Sequence, residues 1–320
     1  MGAGSHLRGT GQDDGRRRPR TPPRGQGLTD LITGINGFVG RHLAAAITAD
    51  GGRAVGLDLP TCNLCNLSQV MDLVRQASPA RVYHFAAMSS MGRSWEDRER
   101  VFAVNVQGTR NLLTALAEAA PGARILMVST GAVYGPGSGV IKETDPLSPS
   151  NPYAESKVQA EQVCQEFIGR GLDVRIARPL GHTGPGQNKG FVVPDLAAQI
   201  AAIKKGRSEP RLRVGNLKVQ REFADARDVI RAYRTILKRG EPGGVYNVAN
   251  NQPHSIEEVA RTLLRIAGVE ADLTPDPALL RPADESSPRL DTSRLLALGF
   301  SYQIPFEKTL ADVLAWWMEQ

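Results

Sequence analysis

The stretch "LITGINGFVGRHLAAA" (31–46) decides how the rest of the chain is read. Its opening residues are apolar, as in a buried strand, and from Phe38 onward apolar positions recur at helical spacing. Between the two lie Gly34, Gly37 and Gly40, a G-x-x-G-x-x-G at the start of the helix. Backbone without side chains lets a pyrophosphate approach the helix N-terminus, where free N–H groups and the dipole favour an anion. Three glycines alone are weak evidence. Their meaning comes from the strand before them, the helix after them, and Asp58 near the end of the next apolar run, "RAVGLDL" (53–59). Asp58 can accept hydrogen bonds from ribose hydroxyls and would repel a 2′-phosphate, which favours NADH over NADPH without excluding the latter.

Outward from this stretch, apolar runs alternate with helical patterns. Helices are expected at "LSQVMDLVRQA" (67–77), "NVQGTRNLLTALAEAA" (105–120) and "YAESKVQAEQVCQEFIGRG" (153–171). Strands are expected at "RVYHFAA" (81–87), "RILMVST" (124–130) and "DVRIARPL" (173–180). Short buried strands separated by amphipathic helices imply an α/β fold, a Rossmann-type doubly wound parallel sheet. After Leu180 the regularity breaks into the Gly-rich "GHTGPGQNKG" (181–190), two helical patterns, two short strands around "LRVGN" and "VQREF", and a Pro-rich segment before the amphipathic "FEKTLADVLAWWMEQ" (306–320). This reads as a smaller α+β lobe. The expected boundaries are a leader at 1–27, a dinucleotide-binding domain at 28–180 plus about 217–245, and a lobe at about 181–216 plus 246–320.

At 320 residues the chain is long enough for one large domain with an annex. Six arginines face two aspartates in residues 1–27, so of the formal +6 the rest of the chain carries only +2. That is too little for a nucleic-acid footprint. The leader itself, Gly-, Arg- and Pro-rich, reads as disordered and lacks the apolar core of a secretory signal. No apolar run approaches the ~18 residues a membrane span requires. Three cysteines form an odd, sparse set suited to a reducing, cytoplasmic compartment. Cys62-x-x-Cys65 lacks the second pair that zinc would need, so no metal is expected.

Tyr153 and Lys157, in "NPYAESK" (151–157), lie four apart on one helix face. A phenol is a poor acid–base group at its ordinary pKa near ~10, and a neighbouring ammonium is expected to pull it toward working pH. Just upstream, "STGAVYG" (129–135) sets Ser129 and Thr130 where a strand should end.

In order and spacing, "TGINGFVG", "HFAA" (84–87), "NVQGT" (105–109), "STGAVYG", "YAESK" and "ARP" (177–179) resemble the extended short-chain dehydrogenase/reductases over nearly all of residues 28–320. The resemblance implies a dinucleotide cradle from Gly34, Asn36, Gly37, Phe38, Val39 and Gly40. It adds Asp58, Asn63, Leu64, Ala86, Ala87 and Pro179 around NAD(P). It makes Tyr153 the acid–base residue, Lys157 the grip on the nicotinamide ribose, and Thr130 the hydroxyl that binds the sugar oxygen. Ser89, Ser90, Gly181, His182, Arg221 and Arg281 are implied on the side of a nucleotide-sugar, the two arginines at its diphosphate. At Gly181 the family usually carries Asn, which leaves His182 as a substitute contact. In the family's 4,6-dehydratases a Glu stands two residues before the strand-end Tyr, with an Asp before it in one type. Here Gly131 and Ala132 occupy those positions, and neither can move a proton. Reduction survives that loss and dehydration does not.

The later segments are similar to the GDP-4-keto-6-deoxymannose reductases and to the 4-ketoreductases of antibiotic pathways. The expectation is therefore reduction of the C4 keto group of an NDP-4-keto-6-deoxyhexose. The Ala/Arg/Gly/Pro-heavy composition leans the base slightly toward dTDP over GDP. A 4-epimerase that recycles NAD uses the same three residues and stays open, as does a non-catalytic NAD(P) sensor. A homodimer is expected, packed through the helices over 105–120 and 153–171, with no nucleic-acid or membrane partner.

Overall fold

The computed structural model describes residues 1, 28–89, 94–137, 139–280, 286 and 288–320. The leader, Ser90 and Arg281 lie outside them. The first half runs β1 (Thr29–Thr33), α1 (Phe38–Ala49), β2 (Arg53–Leu57), α2 (Leu67–Ala77), β3 (Arg81–His84), α3 (Arg98–Phe102), α4 (Gly108–Ala119), β4 (Arg124–Val128), β5 (Val140–Ile141), α5 (Pro152–Ile168) and β6 (Asp173–Pro179). A π-turn at Ala103–Gln107 joins α3 to α4, and a single 3-10 turn, Gly131–Tyr134, follows β4. The second half runs β7 (His182–Thr183), α6 (Val192–Lys204), β8 (Arg211–Val214), β9 (Gln220–Glu222), β10 (Ala224–Asp225), α7 (Ala226–Arg239), β11 (Val245–Val248), β12 (Pro253–Ser255), α8 (Ile256–Ala267), β13 (Asp272–Pro275), β14 (Arg289–Leu290), α9 (Ser293–Ala297) and α10 (Phe306–Met318).

Six of the strands pair, all parallel, in the order β11-β6-β4-β3-β1-β2. Chain order reverses between β1 and β3, the switch point at whose carboxyl ends such sheets bind ligands. Helices cover both faces, so the strands are near-continuous apolar runs rather than alternating ones. Under α2, α4 and α5 lie Leu31, Val82, Ile125, Leu112, Leu116 and Phe167. Under α1 and α7 lie Ile32, Leu43, Leu126, Tyr233 and Ile236. The lobe has its own core, from α6, α8 and α10, with Leu196, Ile200, Leu263 and Leu310. The local signals are those expected of helix starts: Asn66 caps α2, and Asn151 caps α5 with Pro152 in its first turn.

One detail differs from the sequence reading. The expected boundary at 245/246 cuts β11, whose apolar Val245, Tyr246 and Val248 continue the main sheet beside β6. Leu112, Leu113, Ala115 and Leu116 of α4 are at most 1% exposed and lie inside the subunit's own core. The outer surface of α4 and α5 is instead crossed by an ion pair from Arg110 to Glu166, at 2.6 and 3.0 Å.

Candidate active site

Gly34 follows β1 with φ +72°, and a Cβ there would meet the Ala86 nitrogen at 2.9 Å. A Cβ on Gly40 would fall 2.2 Å from the Gly34 carbonyl oxygen, so α1 starts in contact with the loop before it. No side chain caps α1 at Gly37, and its first turn holds no acidic residue. Those N–H groups and the positive dipole end suit a dinucleotide pyrophosphate. The Asn36 nitrogen donates to Asp58 Oδ2 at 3.2 Å and the Leu59 nitrogen to Oδ1 at 2.9 Å, which ties the loop to the end of β2. Each Asp58 oxygen keeps a lone pair that a ribose hydroxyl could use.

The other cofactor-side residues divide. Ala86 and Ala87 are half-buried just past β3, and Pro179 closes β6. Phe38 packs edge-on to His42 and stacks with His182 at 6.3 Å, while Val39 packs into the α1/α7 core. Asn63 spends its side-chain oxygen on the Cys65 nitrogen at 3.0 Å. The Leu64 side chain is 6% exposed and its carbonyl accepts from Asn111, so this residue serves the core.

At the ends of β4 and α5 the structure brings Thr130, Tyr153 and Lys157 together. The Thr130 side chain hydrogen-bonds the Tyr153 phenol, and its Oγ1 accepts from the Ala132 nitrogen at 3.2 Å. Lys157, 3% exposed, donates from Nζ to the Val128 carbonyl at 2.7 Å. Burial pulls its ammonium down to about 8, with Cys164 and Glu161 resisting. The same burial pushes Tyr153 up to about 12, against the bond from Thr130. This differs from the expectation of a phenol drawn toward neutrality: desolvation of the anion outweighs the bond from Thr130. Ser129, which the sequence reading left without a role, is 2% exposed and its Oγ has no partner among the described residues. An orphaned hydroxyl beside the triad suits a site that a polar ligand completes.

Gly131 has a steric reason as well as a chemical one. A Cβ there would sit 2.6 Å from Leu180 Cδ2, so a carboxylate side chain does not fit without moving Leu180. Gly181 is similar, since a Cβ would fall 2.3 Å from the Glu222 carbonyl. His182 puts Nδ1 on the Leu180 carbonyl at 3.2 Å, and burial lowers its pKa. Arg221 is half-buried in β9, opposite His254 of β12, and Ser89 is exposed. Among the described residues, no group of three His, Cys, Asp or Glu could hold a metal ion, and no helix is long and apolar enough to cross a membrane.

A glycine turn into α1 at the switch point, with a Thr-Tyr-Lys set past β4 and on α5, defines an NAD(P)-dependent member of the short-chain dehydrogenase class. The model of the NAD dependent epimerase/dehydratase family matches residues 31–249, and the chain belongs to that family. It is 37% identical to the GDP-6-deoxy-D-mannose reductase of Pseudomonas aeruginosa, over 90% of this chain and 96% of that protein. It is 27% identical to the dTDP-D-glucose 4,6-dehydratase of Mus musculus, over 92% and 90%. Among solved structures, RMD from Pseudomonas aeruginosa complexed with NADPH superposes with a TM-score of 0.83 at 36% identity, covering 91% of this chain and 99% of that one. The Thermus thermophilus UDP-glucose 4-epimerase complex with NAD gives 0.79 at 26% identity, covering 91% and 99%.

Proposed function

We propose that this protein reduces the C4 keto group of a GDP-4-keto-6-deoxyhexose at the expense of NAD(P)H. The observation that carries the reading is a hydrogen-bonded Thr130/Tyr153 pair over a buried Lys157, with Gly131 and Ala132 in place of any acid or base. The lean toward dTDP finds no support, because the 37% identical relative acts on a GDP sugar. Bound reduced nicotinamide supplies the hydride. Thr130 and Tyr153 offer two hydroxyls to the keto oxygen, and Tyr153 gives up its proton as that oxygen gains charge. Lys157, anchored on Val128, stabilises the phenolate left behind. Arg221, together with Arg281, is assigned to the substrate diphosphate.

The test is an assay of GDP- and dTDP-4-keto-6-deoxyhexoses, each with NADH and with NADPH. Oxidation of cofactor with the GDP sugar supports the proposal. Oxidation with the dTDP sugar alone would overturn the base, and isomerisation without net oxidation would make the protein an epimerase. Asp58→Ala is expected to lower the NADH-to-NADPH ratio of kcat/KM by about tenfold, from the lost ribose contact and the lost repulsion of a 2′-phosphate. A homodimer through α4 and α5 is also proposed, with a polar rather than leucine-rich seam. Light scattering should give twice the chain's mass, and the dimer should weaken in high salt if Arg110 and Glu166 contribute.

A further inference from the structure

One chain of buried polar groups is not explained by proton transfer or ligand contact. Thr33, His84, Asn105, Thr109 and Ser156 are each at most 2% exposed. Thr109 Oγ1 lies 2.6 Å from the Asn105 carbonyl, which can only accept, so the hydroxyl spends its single proton there. Toward His84 Nε2, 2.9 Å away, the same hydroxyl can then only accept, and Nε2 must carry the ring proton. His84 Nδ1 is left bare and takes the proton of Thr33 Oγ1 at 2.7 Å, while Thr33 accepts from the Ala86 nitrogen at 3.0 Å. Every donor has one acceptor, and the tautomer follows from the count. The charge on Lys157 and the burial of the ring both oppose a second proton on His84.

The chain ends on the π-turn that joins α3 to α4. Asn105 sits inside that turn. Its Oδ1 accepts from the Met88 nitrogen at 2.8 Å, and its Nδ2 donates to Ser156 Oγ at 2.9 Å and the Met88 carbonyl at 3.3 Å. Ser156 Oγ in turn donates to the Tyr153 carbonyl at 2.7 Å. One side chain therefore joins the loop after β3 to the first turn of α5, between Tyr153 and Lys157. A π-turn is an uncommon register, held by specific partners rather than by propensity.

We infer that His84 is a positioning residue of this site: as a neutral imidazole protonated on Nε2, it grips Thr109 and Thr33 and so fixes the π-turn from which Asn105 locates the Tyr153 helix against the Met88 loop. The inference deepens the reductase reading and rests on it for its kinetic arm. His84, 2% exposed, spends its two ring nitrogens on Thr33 and Thr109, and it acts through the register of α4.

The test uses Thr109→Val, which keeps the shape and removes the hydroxyl, and Thr109→Ser, which keeps the hydroxyl. Misplacement of reacting groups by a fraction of an ångström to an ångström should lower kcat of the Val variant by about 10- to 100-fold, with KM for the keto sugar within about threefold. The Ser variant should return to within about threefold of wild type. Side-chain nitrogen NMR of the wild-type protein, with the His84 signal assigned through His84→Gln, should show a proton on Nε2 and no second protonation down to about pH 5. A Val variant with unchanged kcat and only a lower melting temperature would overturn the inference, as would a proton on Nδ1 or ordinary titration near ~6.5. The spectrum needs no substrate. An inactive wild-type enzyme would defeat the reductase reading and leave the NMR result to decide this one.

Discussion

Tyr153→Phe is expected to lower kcat for keto-sugar reduction by about 10²- to 10⁴-fold, the usual worth of a positioned general acid. The loss should fall on kcat, because the phenylalanine ring fills the same half-buried position and the Gly34–Gly40 cradle is untouched. Cofactor affinity, measured by fluorescence titration, should stay within about twofold, since the removed hydroxyl is one contact among many. A variant with wild-type kcat would remove Tyr153 from the chemistry. The pH dependence follows from the same geometry. Tyr153, pushed up to about 12, holds its proton throughout the neutral range, which is the form reduction needs. Lys157, drawn down to about 8, is charged below that value and loses its charge as pH rises through it. The rate should therefore hold at neutral pH and fall on the alkaline side as the phenolate loses its neighbouring cation. Binding of an anionic cofactor would move that limb upward.

The second large effect concerns stability. Glu161 of α5 and Arg178 of β6 are both 5% exposed and form a two-pronged pair, Nε to Oε1 at 3.0 Å and Nη2 to Oε2 at 2.7 Å. The remaining guanidinium nitrogen donates to the Tyr134 hydroxyl at 2.8 Å and the Glu143 carbonyl at 3.1 Å. Tyr134 passes its own proton to Asn247 of β11 at 2.7 Å. Glu161→Leu should cost about 3–5 kcal/mol in urea unfolding, because it strands a buried cation. Adding Arg178→Met should recover most of that loss, since a matched apolar pair carries no desolvation penalty. Equal losses in the single and double variants would mean that the apolar pair cannot repack in that space.

The first βαβ unit was legible because its glycines have one physical use. A φ of +72° and a 2.2 Å approach admit no side chain, and that demand is local in sequence. Tyr153 and Lys157 were legible for a similar reason, being one helical turn apart. The dinucleotide half is therefore readable as α/β from its sequence alone. What could not be read depends on partners distant in the chain. Gly181 looked like a missing contact, yet its emptiness answers to the Glu222 carbonyl, far along the sequence. Tyr153 looked acidified by Lys157, but burial, which no spacing reveals, decided the sign. His84 and Asn105 stood inside quoted motifs with no task assigned, because their role exists only once Thr33, Thr109 and Ser156 surround them.

The C-terminal segment has a consequence for how the chain comes into being. Leu295 and Phe300 complete the packing under α1 and α7, while Leu310, Val313 and Leu314 complete the lobe. Thr309 and the Arg227–Asp312 pair then fasten α10 to Asp225 at the start of α7. Neither core is whole until residues 295–314 have left the ribosome, although nascent domains commonly fold in order from the N-terminus. A chain cut before Leu295 would therefore carry two open cores rather than one intact domain.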